Sequence, residues 1–117
     1  METFPWDTAE VQTLSATLFG SRHRLEVALA IALVSESAPD KLYRQALADL
    51  LEIRDPEVEK QLRVFRKIGL IEKHPNPPPP PAKRGPGRPP IILRKTSDHF
   101  WECLQELGDR FRRPPAA

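Results

Sequence analysis

Cysteine is nearly absent from this sequence, in which Cys103 stands alone. A single cysteine forms no disulfide within its chain, and such chains are typical of a reducing cytosol. We expect Cys103 to be a small buried residue rather than a redox sensor. The three histidines are scattered as well, so the sequence predicts no metal site and no cofactor. It also offers no phosphate loop and no nucleophile–base pair at motif spacing, which makes an enzyme the weakest interpretation.

Long hydrophobic runs are missing too. No apolar stretch approaches the ~20 residues of a membrane span, and the N-terminus lacks the pattern of a signal peptide. With 117 residues, of which 39% are hydrophobic, the chain is long enough for one folded domain with a modest core. We therefore expect a single domain, 1–117, in the cytoplasm and without membrane contact.

Acidic residues become scarce in the second half of the chain. Residues 1–59 contain 5 Lys/Arg and 11 Asp/Glu, whereas residues 60–117 contain 13 and 5. This polarisation indicates a basic face that binds a polyanion, held by an acidic remainder. Uneven solvation of the two halves is the alternative that composition leaves open.

Helix and strand signals follow one another along the chain. Asp7 or Thr8 can cap a first helix that ends at Gly20, and Ser21 can cap a second helix that is apolar on most sides. A helix of that kind is expected at the centre of a core. After the first helix, the predicted elements are helices at 22–36, 41–51, 56–68 and 98–112, with strands at 70–74 and 91–96.

The helix at 56–68 has the clearest signals. Asp55 is a good N-cap, Pro56 suits the first helical position, and Gly69 suits the left-handed residue after the end. On a helical wheel the apolar residues share one side and the cations the other. The apolar side comprises Val58, Leu62 and Phe65, and the opposite side carries Lys60, Arg63 and Lys67. We expect such a helix to bury one face and to meet an anionic partner with the other.

Residues 70–96 predict a hairpin with an unusually long tip at 75–90, which contains nine prolines and no acidic residue. The unit Gly87-Arg88-Pro89, preceded by Lys83 and Arg84, resembles an AT-hook, in which a thin extended backbone lets arginine reach into the minor groove. The five consecutive prolines 77–81 predict a stiff polyproline II arm. That arm either extends the basic tip along DNA or is read by a protein partner, and an insertion without function is the third possibility.

The order of these elements resembles that of winged helix-turn-helix proteins, and the spacing of key residues is similar to that of bacterial regulators of the arsenic-repressor (ArsR) type. The resemblance is carried by Leu18, Phe19, Gly20, Ser21, Arg24, Leu47, Ala48, Leu51, Ile53, Val58, Leu62, Phe65, Gly69, Leu70 and Ile71, and by Arg94-Lys95-Thr96. It implies a mainly α fold with a small β-hairpin, in which 41–69 is the helix-turn-helix, 70–96 the wing and 98–112 the last helix. The metal-binding clusters of the metal-sensing members are missing.

The resemblance also implies a function, that of a dimeric transcriptional regulator or repressor that binds double-stranded DNA in the bacterial cytoplasm, associated with the nucleoid. The helix 56–68 would lie in the major groove. The expected DNA-binding residues are Lys60 and Gln61 near base edges, Arg63, Lys67 and Lys73 at phosphates, and Lys83, Arg84 and Arg88 on the wing. The homodimer would form through the first and last helices, with half-sites ~34 Å apart. Its expected interface residues are Leu14, Leu18, Trp101 and Leu104.

Three residues depart from the family's pattern. Glu52 stands in the turn where a small residue or glycine is frequent. Glu57 and Glu59 stand near the expected DNA surface, where carboxylates repel phosphates. They either stabilise the positive N-terminal end of the helix or accept a hydrogen bond from cytosine N4. Their charge also keeps a second hypothesis open, namely a protein-interaction module that uses the same scaffold and binds its partner through the proline-rich wing.

Overall fold

The computed structural model describes residues 4–75 and 91–111, and the side chains of these residues up to Arg110. In chain order the elements are α1 (Thr8–Phe19), α2 (Arg24–Ser37), α3 (Arg44–Leu51), α4 (Asp55–Lys67), β1 (Ile71–Lys73), β2 (Leu93–Lys95) and α5 (His99–Phe111). The predicted class, mainly α with a small β-hairpin, is therefore confirmed. Within the described ranges, no helix combines the length and apolar character that a membrane crossing requires.

The first helix, α1, begins and ends where its capping residues predict. The Asp7 carboxylate accepts the Glu10 backbone N–H at 3.0 Å, which satisfies one of the free donors of the first turn. Gly20 follows the helix with φ 68°, a left-handed conformation that glycine adopts without a Cβ clash. Val11 and Ser15 are the buried residues of α1, so this helix lies on the core with most of its surface exposed.

The centre of the core is α2, as its apolar composition predicts. Residues 25–31 are all buried, and α2 contacts each of the other four helices. Its start differs from the prediction, since the helix begins at Arg24 rather than at residue 22. Ser21 does not cap it, and instead Ser15 of α1 accepts the Leu25 N–H at 2.9 Å. A cap supplied by another helix is a tertiary contact, which local sequence signals do not reveal.

The third and fourth helices are joined by a turn of three residues, 52–54. α3 starts at Arg44, later than residue 41, because Pro39–Lys41 first forms a 3-10 turn. Asp55 is the first residue of α4 rather than its cap, so that part of the prediction is wrong. Arg54 occupies the cap position without a side-chain capping bond. The Asp55 carboxylate instead lies 3.7 Å from the Arg44 guanidinium, Oδ2 to Nε.

The end of α4 is a Schellman motif centred on Gly69, as predicted. Gly69 has φ 81°. The Leu70 N–H donates to the Phe65 carbonyl at 2.9 Å, and the Gly69 N–H donates to the Arg66 carbonyl at 3.1 Å. Leu70 and Phe65 both belong to the buried core, so the motif directs the chain from the helix straight into β1.

The hairpin is built from two short antiparallel strands, with Ile71 opposite Lys95 and Lys73 opposite Leu93. Both strands are shorter than the predicted 70–74 and 91–96. One further backbone bond, from the Leu93 N–H to the Leu42 carbonyl at 2.8 Å, joins β2 to the segment before α3. The base of the hairpin is therefore joined to both ends of the α3–α4 pair. β1 follows α4 in the chain, and β2 is hydrogen-bonded to the residue Leu42 before α3.

The last helix, α5, packs on α2 and contributes Trp101 and Leu104 to the core. The Trp101 indole N–H donates to the Leu70 carbonyl at 3.0 Å, which links α5 to the start of the hairpin. Both residues are buried in the single chain, which corrects their assignment to a dimer interface. Cys103 is exposed, so the prediction of a buried cysteine is wrong. It lies about 100° from Leu104 on the helical wheel, on the side that faces away from the core.

Candidate nucleic-acid interface

The outward side of α4 carries Pro56, Lys60, Arg63 and Lys67, which we call the basic stripe. On a helical wheel these residues lie within about 60° of one another. All four are exposed, and the Arg63 side chain is exposed by 75%. The opposite side of the helix is buried, as the apolar periodicity predicts. The three cations create a positive potential along this helix face, which the Glu59 carboxylate borders at 4.0 Å from Arg63.

Gln61 is the one member of the predicted base-reading pair that does not reach this face. It is fully buried. Its Oε1 accepts from the Arg24 guanidinium Nε at 3.1 Å, and its Nε2 donates to the Ser21 hydroxyl at 3.0 Å. Gln61 therefore connects α4 to the start of α2, and its assignment as a base-contacting residue is wrong. A helical wheel already predicts that Gln61 is buried, because it lies about 60° from Val58 on the apolar side of the helix.

Glu59 lies among three arginines on one flank of α4. Its Oε1 accepts from Arg66 Nη2 at 2.9 Å and lies 4.0 Å from Arg63 Nη2. Its Oε2 lies 3.8 Å from Nη1 of Arg44, which belongs to α3. All four side chains are at least partly exposed, so each pair taken alone adds little stability. The arrangement leaves the flank with more positive than negative charge despite the carboxylate.

Arginines stand on both flanks of the basic stripe. Glu59 and Gln61 are two residues apart, which places them about 160° apart around the helix axis. Arg44 contacts Glu59 and Arg24 contacts Gln61, so these two arginines lie on opposite sides of α4. From the sequence, Arg24 either contacts phosphate or solvates the start of its helix. No local motif marks Arg44, because its partners Asp55 and Glu59 are distant in sequence.

Glu57, in the first turn of α4, is the second carboxylate near this surface. It is partly exposed, and it makes no ion pair or side-chain hydrogen bond with the described residues. Its position in the first turn favours the helix dipole, which is the first of the two roles expected from the sequence. Glu59 has a different environment, since three guanidinium groups surround it.

The structure describes only the base of the predicted wing, residues 70–75 and 91–96. Lys73 is exposed at the end of β1. Arg94 forms an ion pair with Glu72, the residue directly opposite on the neighbouring strand. The predicted tip beyond Pro75 lies outside the described residues, together with its three expected DNA contacts, Lys83, Arg84 and Arg88.

The surface of α1 retains part of the predicted dimer interface. Leu14 is half-buried, and Leu18 is exposed by 56%. Phe19, next to Leu18, is also exposed. Apolar side chains that stay open to solvent at one helix end are suited to contact with another protein surface. Trp101 and Leu104, the residues expected on α5, do not add to this surface because both are buried in the core.

The described residues contain no group of three or more His, Cys, Asp or Glu side chains arranged to hold a metal ion. His23 is paired with the buried carboxylate of Glu26. His99 lies 2.8 Å from Glu102, Nδ1 to Oε2, on the exposed side of α5. Both pairs join residues three apart in sequence, with His23 at the N-cap position of α2, and each is a local side-chain pairing.

Comparison of the chain with protein families, with characterised proteins and with solved structures finds no match.

Proposed function

We propose that this protein is a DNA-binding transcriptional regulator of the winged helix-turn-helix type. In this proposal α3 and α4 form the helix-turn-helix, α4 enters the major groove, and the hairpin after α4 is the base of the wing. The observation that carries the proposal is the basic stripe. It stands on a helix whose other side is anchored in the core, so its cations are held on a rigid element.

The chemistry of the stripe suits duplex DNA. A helix of ordinary width fits the major groove, and lysine or arginine on its exposed side binds phosphates or the O6 and N7 acceptors of guanine. Lys60 is the cation of the stripe that lies in the N-terminal half of α4, where recognition helices usually contact base edges. Arg63 and Lys67 lie further along the same face and suit the phosphate backbone.

The arginines on the two flanks support the same geometry. Phosphates border a groove on both sides, and Arg44 and Arg24 flank α4 on opposite sides. In the proposed complex Arg44 faces one strand and Arg24 the other. The exposed Lys73 continues the positive surface onto the hairpin, and the sequence places Lys83, Arg84 and Arg88 beyond it.

A homodimer remains part of the proposal. Its support is the exposed apolar end of α1 at Leu18 and Phe19, which a two-fold related copy would cover. Binding by a protein partner through the proline-rich segment stays a prediction from the sequence alone.

The experiment that tests the proposal is selection of binding sites from random duplex DNA, with the wild-type protein and with a Lys83→Ala, Arg84→Ala, Arg88→Ala variant of equal length. We expect the wild type to enrich a defined sequence, arranged as an inverted repeat if the dimer forms. The wing variant should keep the central sequence and lose a preference for A·T pairs beside it, because these three cations would read the narrow minor groove.

Absence of any enriched sequence, together with no measurable duplex binding at low salt, would contradict the proposal. Enrichment of a single half-site would retain DNA binding and remove the dimer.

A further inference from the structure

Glu59 is the residue whose surroundings the proposed function does not explain. Its carboxylate lies on a positively charged surface that is proposed to bind an anion, and it is contacted by arginines from two helices. Three guanidinium groups within 4.0 Å of one carboxylate form the kind of site that binds a phosphate. Guanidinium binds carboxylate and phosphate through the same planar arrangement of N–H donors.

We infer that Glu59 is an internal competitor for the arginines that bind DNA phosphates, and that it limits how strongly this surface binds DNA of any sequence. The inference rests on the proposed DNA binding. The Glu59 carboxylate occupies the position between Arg44 and Arg66 that a phosphate of the bound duplex would take. A phosphate that approaches this flank therefore has to replace an existing partner of each arginine.

The exposure of the four side chains suits this role. Arg63 is 75% exposed, Arg44 52%, Arg66 40% and Glu59 30%, so all four can exchange partners without unfolding any element. The hydrogen bond from Arg66 at 2.9 Å is the closest of the contacts. The separations from Arg63 and Arg44 are 4.0 and 3.8 Å, which is the distance of loosely held ion pairs.

A regulator that meets far more non-specific than specific DNA is improved by such a restraint. Non-specific affinity comes almost entirely from phosphate contacts, and it falls with salt by a slope of about 0.9 per phosphate neutralised. A carboxylate that occupies the arginines lowers this contribution. The base-edge contact proposed for Lys60 does not involve Glu59, so it is not weakened to the same extent.

The test compares Glu59→Gln with Glu57→Gln. Both substitutions remove one negative charge from the same helix with little change of shape, but the Glu57 carboxylate has no arginine partner among the described residues. Affinity for a random-sequence duplex of about 20 base pairs is measured by fluorescence anisotropy over a range of salt concentrations. Circular dichroism melting shows that each variant is folded.

We expect Glu59→Gln to raise the affinity for random duplex about three- to tenfold near 100 mM salt and to steepen the salt slope by about 0.9 or more. Glu57→Gln should give a smaller rise and leave the slope unchanged within error. In an Arg66→Ala background, the effect of Glu59→Gln should shrink, because the arginine with the closest contact is absent.

Equal effects of the two substitutions would overturn the inference, since the carboxylate would then act through net charge alone. Weaker binding by Glu59→Gln would also overturn it, because Glu59 would then position the arginines or contact a base. If the wild type binds no duplex DNA even at low salt, the proposed function fails, and this inference fails with it. The first two outcomes leave the proposed function intact, so the two failures are distinguishable.

Discussion

At the scale of single residues, Gln61 shows how a polar side chain on α4 is used to hold the helix in place. Its amide satisfies Ser21 and Arg24 at once, and it has no exposed surface. A buried amide with both of its ends bonded contributes to the stability of the domain and to the orientation of α4. In the proposed complex, Gln61 would therefore act through the placement of the basic stripe rather than through contact with a base.

We predict that Gln61→Ala lowers the free energy of unfolding by about 1–3 kcal/mol, because the Ser21 hydroxyl and the Arg24 guanidinium lose a partner in a part-buried site. Urea denaturation measures the change. Gln45→Ala is the control, since Gln45 is exposed on α3 and its bond to Asp49 is on the surface. It should change the unfolding free energy by no more than about 0.5 kcal/mol.

A Gln61→Ala protein as stable as the wild type, with an altered preferred DNA sequence, would restore Gln61 to the base-reading role that the sequence suggested. Unchanged sequence preference with lower stability is the expected result.

At the scale of elements, the turn between α3 and α4 carries a residue that its backbone disfavours. Glu52 has φ 56° and ψ 42°, and it is the only described non-glycine residue with a positive φ. The Ile53 N–H donates to the Ala48 carbonyl at 3.2 Å, which closes the same type of helix end that Gly69 forms after α4. Glycine is the usual residue at such a position because it has no Cβ.

We predict that Glu52→Gly stabilises the protein by about 0.5–1 kcal/mol, since relief of left-handed strain exceeds the added flexibility of the unfolded chain. The melting temperature should rise by a few degrees. Glu52→Ala removes the same side-chain charge but keeps the Cβ, so it should give no comparable gain. If the alanine variant is stabilised as much as the glycine variant, charge removal and not backbone strain explains the effect.

The element boundaries that the sequence predicts correctly depend on residues close to them in the chain. Asp7, Gly20 and Gly69 each act within a few residues of their own position, and the structure has α1 and the end of α4 where they predict. The predicted caps at Ser21 and Asp55 fail for different reasons. Ser15 accepts the Leu25 N–H in place of Ser21. Asp55 lies inside α4 as its first residue, and its carboxylate pairs with Arg44.

At the scale of the whole molecule, the mainly α fold with its hairpin was predictable, because apolar periodicity and glycine positions mark each element. The buried side of α4 was predictable for the same reason. The contacts between elements were not predictable. Trp101, for example, packs in the core, where its indole N–H donates to the Leu70 carbonyl at the start of the hairpin. The sequence alone offers no distance between these two residues.

The candidate site also has a part that helical periodicity predicts and a part that depends on packing. The cations of the basic stripe share one helix face, so the wheel finds them. Arg44 and Arg24 join the surface through contacts with Glu59 and Gln61, and those contacts depend on how three helices pack. The sequence therefore predicts the centre of the proposed interface. It leaves Arg24 as either a phosphate contact or a helix-start charge, and nothing in it marks Arg44.

The central claim, that the outward side of α4 binds the phosphates and groove of duplex DNA, is tested most directly by the salt dependence of DNA affinity. We would measure the slope of log K against log salt concentration for the wild type, for Lys60→Ala and Lys67→Ala singly and together, and for Arg110→Ala. Arg110 is a matched control for Lys67, because each is an exposed cation in the last turn of its helix.

We predict that the slope becomes shallower by about 0.9 for each lysine that contacts a phosphate, with a corresponding loss of affinity, while Arg110→Ala leaves both unchanged. A lysine that contacts a base edge instead would lower the affinity for the preferred site more than the slope. If Arg110→Ala weakens binding as much as Lys67→Ala, and the double lysine variant keeps the wild-type slope, α4 is not the DNA-binding surface of this protein.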